Sequence, residues 1–164
     1  MSRGFVKEDD LEHAGTDIPE RAISPHANYV TVNGYKQLEK EANTLELQRK
    51  QFSAKKDDQT VAQQLTVINR NLRYVSARLK SALITVPDAH SQVVVFGAIV
   101  TVEDDEGQQH SYSIVGEDEA DIKLNKVSWT SPLASALIGQ KVGDSVVWAR
   151  PAGNISLEII HIKF

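Results

Sequence analysis

Between residues 31 and 85 the apolar side chains keep a helical beat. Apolar or small residues fall at Tyr35, Leu38, Ala42 and Leu45, then Arg49 and Phe52, a 3-4-3-4-3 spacing with one polar break. The polar stretch Ser53-Ala54-Lys55-Lys56-Asp57-Asp58-Gln59 interrupts it. The beat then resumes at Val61, Leu65, Ile68, Leu72, Val75, Leu79 and Ala82, spaced 4-3-4-3-4-3. A narrow seam carried by two consecutive helices across a short polar turn predicts an antiparallel coiled-coil hairpin. Half of a globular helical bundle is the alternative; the Lys, Arg, Gln and Glu crowding both sides of the seam favour the hairpin. Thr31 suits an N-cap for the first arm and Asp57 or Asp58 for the second.

Pro87 closes the helical region, and from Gln92 the period changes to two or to β-branched runs. Val93-Val94-Val95-Phe96 leads through Gly97 into Ala98-Ile99-Val100-Thr101-Val102. The Asp104-Asp105-Glu106-Gly107 turn returns the chain as His110 to Val115, a hairpin. Lys126-Val127-Ser128-Trp129 predicts a third strand. Ser131-Pro132, an N-cap followed by Pro at the first helical position, opens a short helix through Leu137 that stops at Gly139. Val142 to Trp148 and Ile155 to Ile162 predict a last strand pair around Pro151-Ala152-Gly153. The whole chain is therefore expected to be α+β, with a hairpin over 31–85 and a small antiparallel sheet domain with one short helix over 86–164. Residues 1–30 are polar, contain Pro19 and Pro25, and predict a tail with little regular structure.

Charge divides along the same boundaries. The 164 residues carry a net charge of -4, from 18 Lys+Arg against 22 Asp+Glu. Residues 1–30 hold three basic and six acidic side chains, residues 31–85 ten and five, and residues 86–164 five and eleven. A basic middle between acidic flanks predicts separate surfaces for separate partners. No run approaches the roughly 18 apolar residues of a membrane span, the N-terminus has no apolar signal-peptide core, and there are no cysteines. A cytoplasmic protein without membrane contact is expected, and disulfides, thiolate zinc and thiol catalysis are excluded.

Candidate chemistry is sparse. His13, His26, His90, His110 and His161 have no metal-ligand spacing, and nucleotide-binding and nucleophile motifs are absent from the sequence. Gly116-Glu117-Asp118-Glu119-Ala120-Asp121 reads as a solvated acidic loop more readily than as a cation site. Trp129 and Trp148 read as core or half-core. Asp57 and Asp58 occupy the far end of the hairpin. Capping and solubility explain them; so does delivery, in which a narrow rod carries carboxylates to Mg2+ in another enzyme's two-metal site.

Together these motifs resemble the bacterial GreA/GreB transcription elongation factors. The resemblance rests on Val95-Phe96-Gly97-Ala98, Ile114-Val115-Gly116 with Asp118-Glu119, Ser131-Pro132-Leu133-Ala134 with Leu137-Ile138-Gly139, Val142-Gly143-Asp144 and Pro151-Ala152-Gly153. Thr31, Gly34, Leu38, Glu41 and Leu45 match the start of the family's hairpin. It implies an FKBP-like C-terminal domain docked at the rim of the RNA polymerase secondary channel through Ser131, Pro132 and Leu133, with the hairpin pointing down the channel. The implied role is that of an accessory factor, not an enzyme: a monomer whose partner is RNA polymerase, with only indirect contact to nucleic acid in the elongation complex. It has no cofactor of its own; Asp57 and Asp58 would meet only the Mg2+ of the polymerase active site. Two departures are visible. The family's tip places a second acidic residue three positions after the first, where Thr60 and Val61 stand here, and the hairpin is about two heptads shorter, or about 10 Å per arm. This matches a short-hairpin variant like the regulator of nucleoside diphosphate kinase, Rnk. It predicts polymerase binding with little transcript cleavage. Ser135 stands where the family usually has Arg. An active cleavage factor, a peptidyl-prolyl isomerase using Phe96, Tyr112, Trp129, Trp148 and Phe164, and a coiled-coil adaptor without polymerase contact are the competing readings.

Overall fold

The computed structural model describes residues 18–164 apart from Lys56. The notebook of elements begins with β1 (Tyr29–Val30), α1 (Val32–Ser53), α2 (Gln59–Ser81) and β2 (Leu83–Ile84). There follow β3 (Ile99–Glu103), β4 (Gln109–Val115), a 3-10 turn (Ile122–Leu124), β5 (Lys126–Ser128), α3 (Pro132–Leu137), β6 (Ser145–Trp148) and β7 (Ile155–Lys163). The chain forms two compact units, one of residues up to Pro25 with Leu38–Ser81 and one of His26–Gln37 with Ala82–Phe164. The helix α1 runs without interruption from the second into the first. No described helix is long and apolar enough to cross a membrane.

In the helical unit the seam is buried as its spacing predicts. Leu38, Leu45, Ile68, Leu72 and Val75 are all at most 9% exposed, whereas Leu47, off the seam, is 61% exposed. Phe52 lies beside Thr60 and Val67, and Glu46 and Arg49 lie beside Asn69 and Leu72. The two helices therefore run antiparallel. Arg49, the polar position in the seam, is exposed and pairs with Glu46 at 2.7 Å. At 22 and 23 residues the arms are each about 33–35 Å long at 1.5 Å per residue. Residues 18–25 lie along α2: the Glu20 carboxylate accepts from Arg73, and the Arg21 guanidinium stacks 3.7 Å from the centre of the Tyr74 ring.

In the other unit five strands lie in the order β5-β4-β3-β7-β6. Alternation does the sorting: β3 buries Val100 and Val102, β4 buries Tyr112 and Ile114, and β7 buries Leu157 and Ile159. These close with Val94, Ala98, Leu133, Ala134 and Leu137 into one core. The sheet is mixed rather than wholly antiparallel, because β5 pairs parallel to β4 through Ser113↔Lys126 to Val115↔Ser128. The chain between them spends ten residues on the acidic loop and 3-10 turn, enough to cross back and re-enter in the same direction.

Three local expectations need correction. Val93-Val94-Val95-Phe96 is not a strand. Val94 exchanges backbone bonds with Gly139 and Gln140 instead, and the chain turns at Gly97, whose φ of +89° leaves its α-hydrogen side against the Pro87 ring. The strand expected from Val142 begins only at Ser145, after a turn through Gly143. Tyr29 and Val30, assigned to the tail, form β1 and pair parallel with Leu83 and Ile84. A two-residue strand whose partner lies across the entire hairpin leaves no periodic trace in the sequence.

Candidate functional site

The turn joining the helical arms carries Asp57 and Asp58, both exposed. Asp58 caps α2: its Oδ1 accepts from the Thr60 amide at 2.9 Å and its carbonyl from the Ala62 amide at 2.9 Å. Of the two residues expected to cap this arm, Asp58 does so. One oxygen of the pair is thus already committed to the helix end, where a carboxylate is also favoured by the helix dipole. The described residues contain no group of three or more potential metal ligands anywhere. The tip could add oxygens to an ion held by something else; two adjacent carboxylates do not assemble an octahedral shell.

The second predicted site is the start of α3. Ser131 Oγ accepts from the Ala134 amide at 3.2 Å, its carbonyl accepts from Ser135, and Pro132 occupies the first helical turn where a missing N–H costs nothing. Ser131 is half-buried, Pro132 and Ser135 are exposed. Leu133 corrects the expectation. It is 2% exposed and packs in the core with Ala134 and Leu137, so it supports the surface from beneath and offers no contact area. The apolar positions 133, 134 and 137 share one face of a helix, a signal already present in the sequence.

Around this segment lies an aromatic cluster that the sequence reading did not assemble. Trp129 meets Tyr29 edge-on with centroids 5.1 Å apart, Tyr29 meets Phe96 at 6.0 Å, and His26 meets Trp129 at 5.9 Å. Tyr29 reaches Trp129 because its backbone passes over Gly116, where a Cβ would stand 2.4 Å from the Tyr29 carbonyl oxygen. The motif glycine after Val115 is therefore a close-approach residue.

The acidic run is split by structure. Glu119 is 9% exposed. Its Oε1 accepts from the Thr31 hydroxyl at 2.5 Å, and its Oε2 accepts from Asn33 Nδ2 at 3.0 Å and faces Lys126 Nζ at 3.5 Å. Thr31 Oγ1 in turn caps α1 by accepting from the Gly34 amide at 2.9 Å. Asp121 caps the 3-10 turn through the Lys123 amide. Glu119 is thus a buried clamp on the first turn of α1, and the solvated-loop reading holds only for its exposed neighbour Asp118.

The sequence model described as "Transcription elongation factor, GreA/GreB, C-term" matches residues 89–164. Those residues form a GreA/GreB-family C-terminal domain. GreA of Trichlorobacter lovleyi is 57% identical over 72 residues, 43% of this chain and 46% of that protein. GreB of Neisseria meningitidis is 38% identical over 99 residues, 59% and 61% respectively. The chain spans about half the length of such curated relatives. The crystal structure of GreA factor homolog 1 of Thermus thermophilus superposes with a TM-score of 0.42 at 24% identity, covering 85% of this chain and all of that one. The GreA/GreB match brings no support for a peptidyl-prolyl isomerase. Among the rings that reading needed, Tyr112 is buried and packs edge-on to Trp148, while Phe96 and Trp129 pack on Tyr29.

Proposed function

We propose that this chain is an accessory factor that binds RNA polymerase through residues 89–164, occupies the secondary channel with its helical hairpin, and stimulates transcript cleavage little. The observation that carries the binding half is the GreA/GreB C-terminal domain with its Ser131-Pro132 helix start intact and Pro132 exposed. The other half rests on the tip. Only Asp57 and Asp58 are available there, adjacent residues on different bearings, and one Asp58 oxygen already holds Thr60. A hard ion rewards oxygens placed within a few tenths of an ångström and tolerates little displacement. The short arms add to the same conclusion. On this reading the chain regulates elongation by occupying the channel rather than by completing a metal site, and its basic hairpin is drawn in by an acidic, nucleic-acid-rich channel.

The test is binding of the full chain to core polymerase in competition with a Gre factor. Pro132→Asp should weaken binding about tenfold, the typical effect of losing one well-placed apolar contact at an interface, with an unchanged melting temperature. Absence of competition, or binding indifferent to Pro132→Asp, overturns the assignment.

A further inference from the structure

We propose that the acidic segment ahead of residue 18 docks into the apolar groove on the hairpin, near its tip, in the free protein. The inference concerns this chain alone and does not depend on polymerase binding.

The groove is a cavity of about 380 Å³ between the two arms, lined by Gln48 and Phe52 of α1 and by Thr60, Gln64, Val67 and Ile68 of α2. Val67 is 40% exposed there and Phe52 half-buried, although both are large apolar side chains. What covers the neighbouring surface identifies the occupant. Positions 60, 64, 67, 71 and 74 of α2 are spaced 4-3-4-3 and so form one stripe along the helix. The upper part of that stripe is already covered by this chain's own N-terminal region. Arg21 lies over the Tyr74 ring and donates to Asn71 Oδ1 at 3.5 Å, and Glu20 pairs with Arg73. The order of these contacts sets a direction: with Asn28 bonded to Leu83 and Arg21 to Asn71, each step toward the N-terminus moves toward the tip. The chain before residue 18 thus arrives at the uncovered part of the same stripe.

Reach and composition agree. From Asn71 to Thr60 is about 17 Å along the helix, and seventeen residues can extend to about 56 Å. Residues 1–17 hold two basic and five acidic side chains, while residues 38–81 hold nine basic and five acidic. The segment also brings Phe5, Val6 and Leu11, the apolar side chains an apolar groove needs. Opposite charge draws the segment to the hairpin, and burial of Phe5 or Leu11 against Phe52 and Val67 holds it there.

The chain has no cysteine, so a single nitroxide can be attached cleanly at Gly4→Cys in the full-length protein. The proposal expects selective loss of amide signals of residues 60–68, sparing residues 75–81. The loss should be relieved by Phe5→Asp with Val6→Asp, and independently by Val67→Asp. Full signal at residues 60–68 overturns it. Mixing labelled protein with an isotopically enriched unlabelled copy distinguishes the source: broadening that survives only between molecules means that a second copy fills the groove, which also overturns it. Circular dichroism of each variant shows whether the hairpin is still helical, and Gly4→Cys alone leaves the folded core untouched.

Discussion

The two units of this chain are built to different standards. The sheet unit closes a core in which Val94, Ala98, Val100, Val102, Ile114, Ala134, Leu137 and Ile159 all lose contact with water entirely. In the helical unit the deepest seam residue is Val75 at 1%, and toward the tip even seam positions such as Val61 and Leu65 stay half-exposed. Similarity follows the same division, reaching 57% identity over 72 residues and falling to 38% when the match extends to 99. A closed core tolerates few substitutions because each lost or added methylene is felt by all its neighbours. A two-helix seam depends mainly on keeping its spacing, so its length and tip are open to change. The sheet unit is where a partner's recognition can be retained; the hairpin is where its consequence can be altered.

The largest expected effect breaks the sheet unit from inside. Leu133→Asp buries an unpaired carboxylate among Ala134 and Leu137 and should unfold that unit, a loss of several kcal/mol visible as a missing cooperative transition. Its neighbour Pro132→Asp should leave the melting temperature unchanged. If the two behave alike, the division of α3 into a buried and a displayed face is wrong. Gly116→Ala comes next: a Cβ 2.4 Å from the Tyr29 carbonyl must push β1 aside, at about 1–3 kcal/mol by thermal melting. Glu119→Ala should cost about as much, because Thr31, Asn33 and Lys126 lose their shared acceptor, and Glu119→Gln should recover part of it. The smallest effect belongs to the exposed strap. The hydrogen bond from Arg73 holds the Glu20 carboxyl below its ordinary value. A lowered folded-state value contributes stability at neutral pH that is lost as the pH falls through it. Acidification below the usual Glu range, or Glu20→Gln at neutral pH, should therefore release the strap from α2, read as a change at the Tyr74 ring signals, with the sheet unit unmoved.

Much of this architecture is legible in the sequence where signals are local. The seam from Val61 to Ala82, the caps at Thr31 and Ser131, and the turn at Asp104–Gly107 each depend on a few neighbouring residues, and each stands where its pattern places it. What the sequence conceals is non-local. Nothing near Tyr29 announces a parallel partner at Leu83, nothing near Lys126 announces that β5 runs parallel to β4, and Glu119 looks like its solvated neighbours until Thr31 and Asn33 arrive from 88 and 86 residues away. Of the candidate site, Pro132 and Asp58 were readable through capping chemistry. Leu133 was misplaced although its helical spacing with Leu137 already pointed inward.

The most direct test of a channel-occupying factor with a weak tip is transcript cleavage in a backtracked elongation complex. The wild-type chain is compared with the Asp57→Asn plus Asp58→Asn variant at saturating, verified binding. The account predicts little Mg2+-dependent cleavage above background from either protein, and equal inhibition of elongation by both. Strong cleavage by the wild type that vanishes in the double variant would contradict it and make this chain an active cleavage factor.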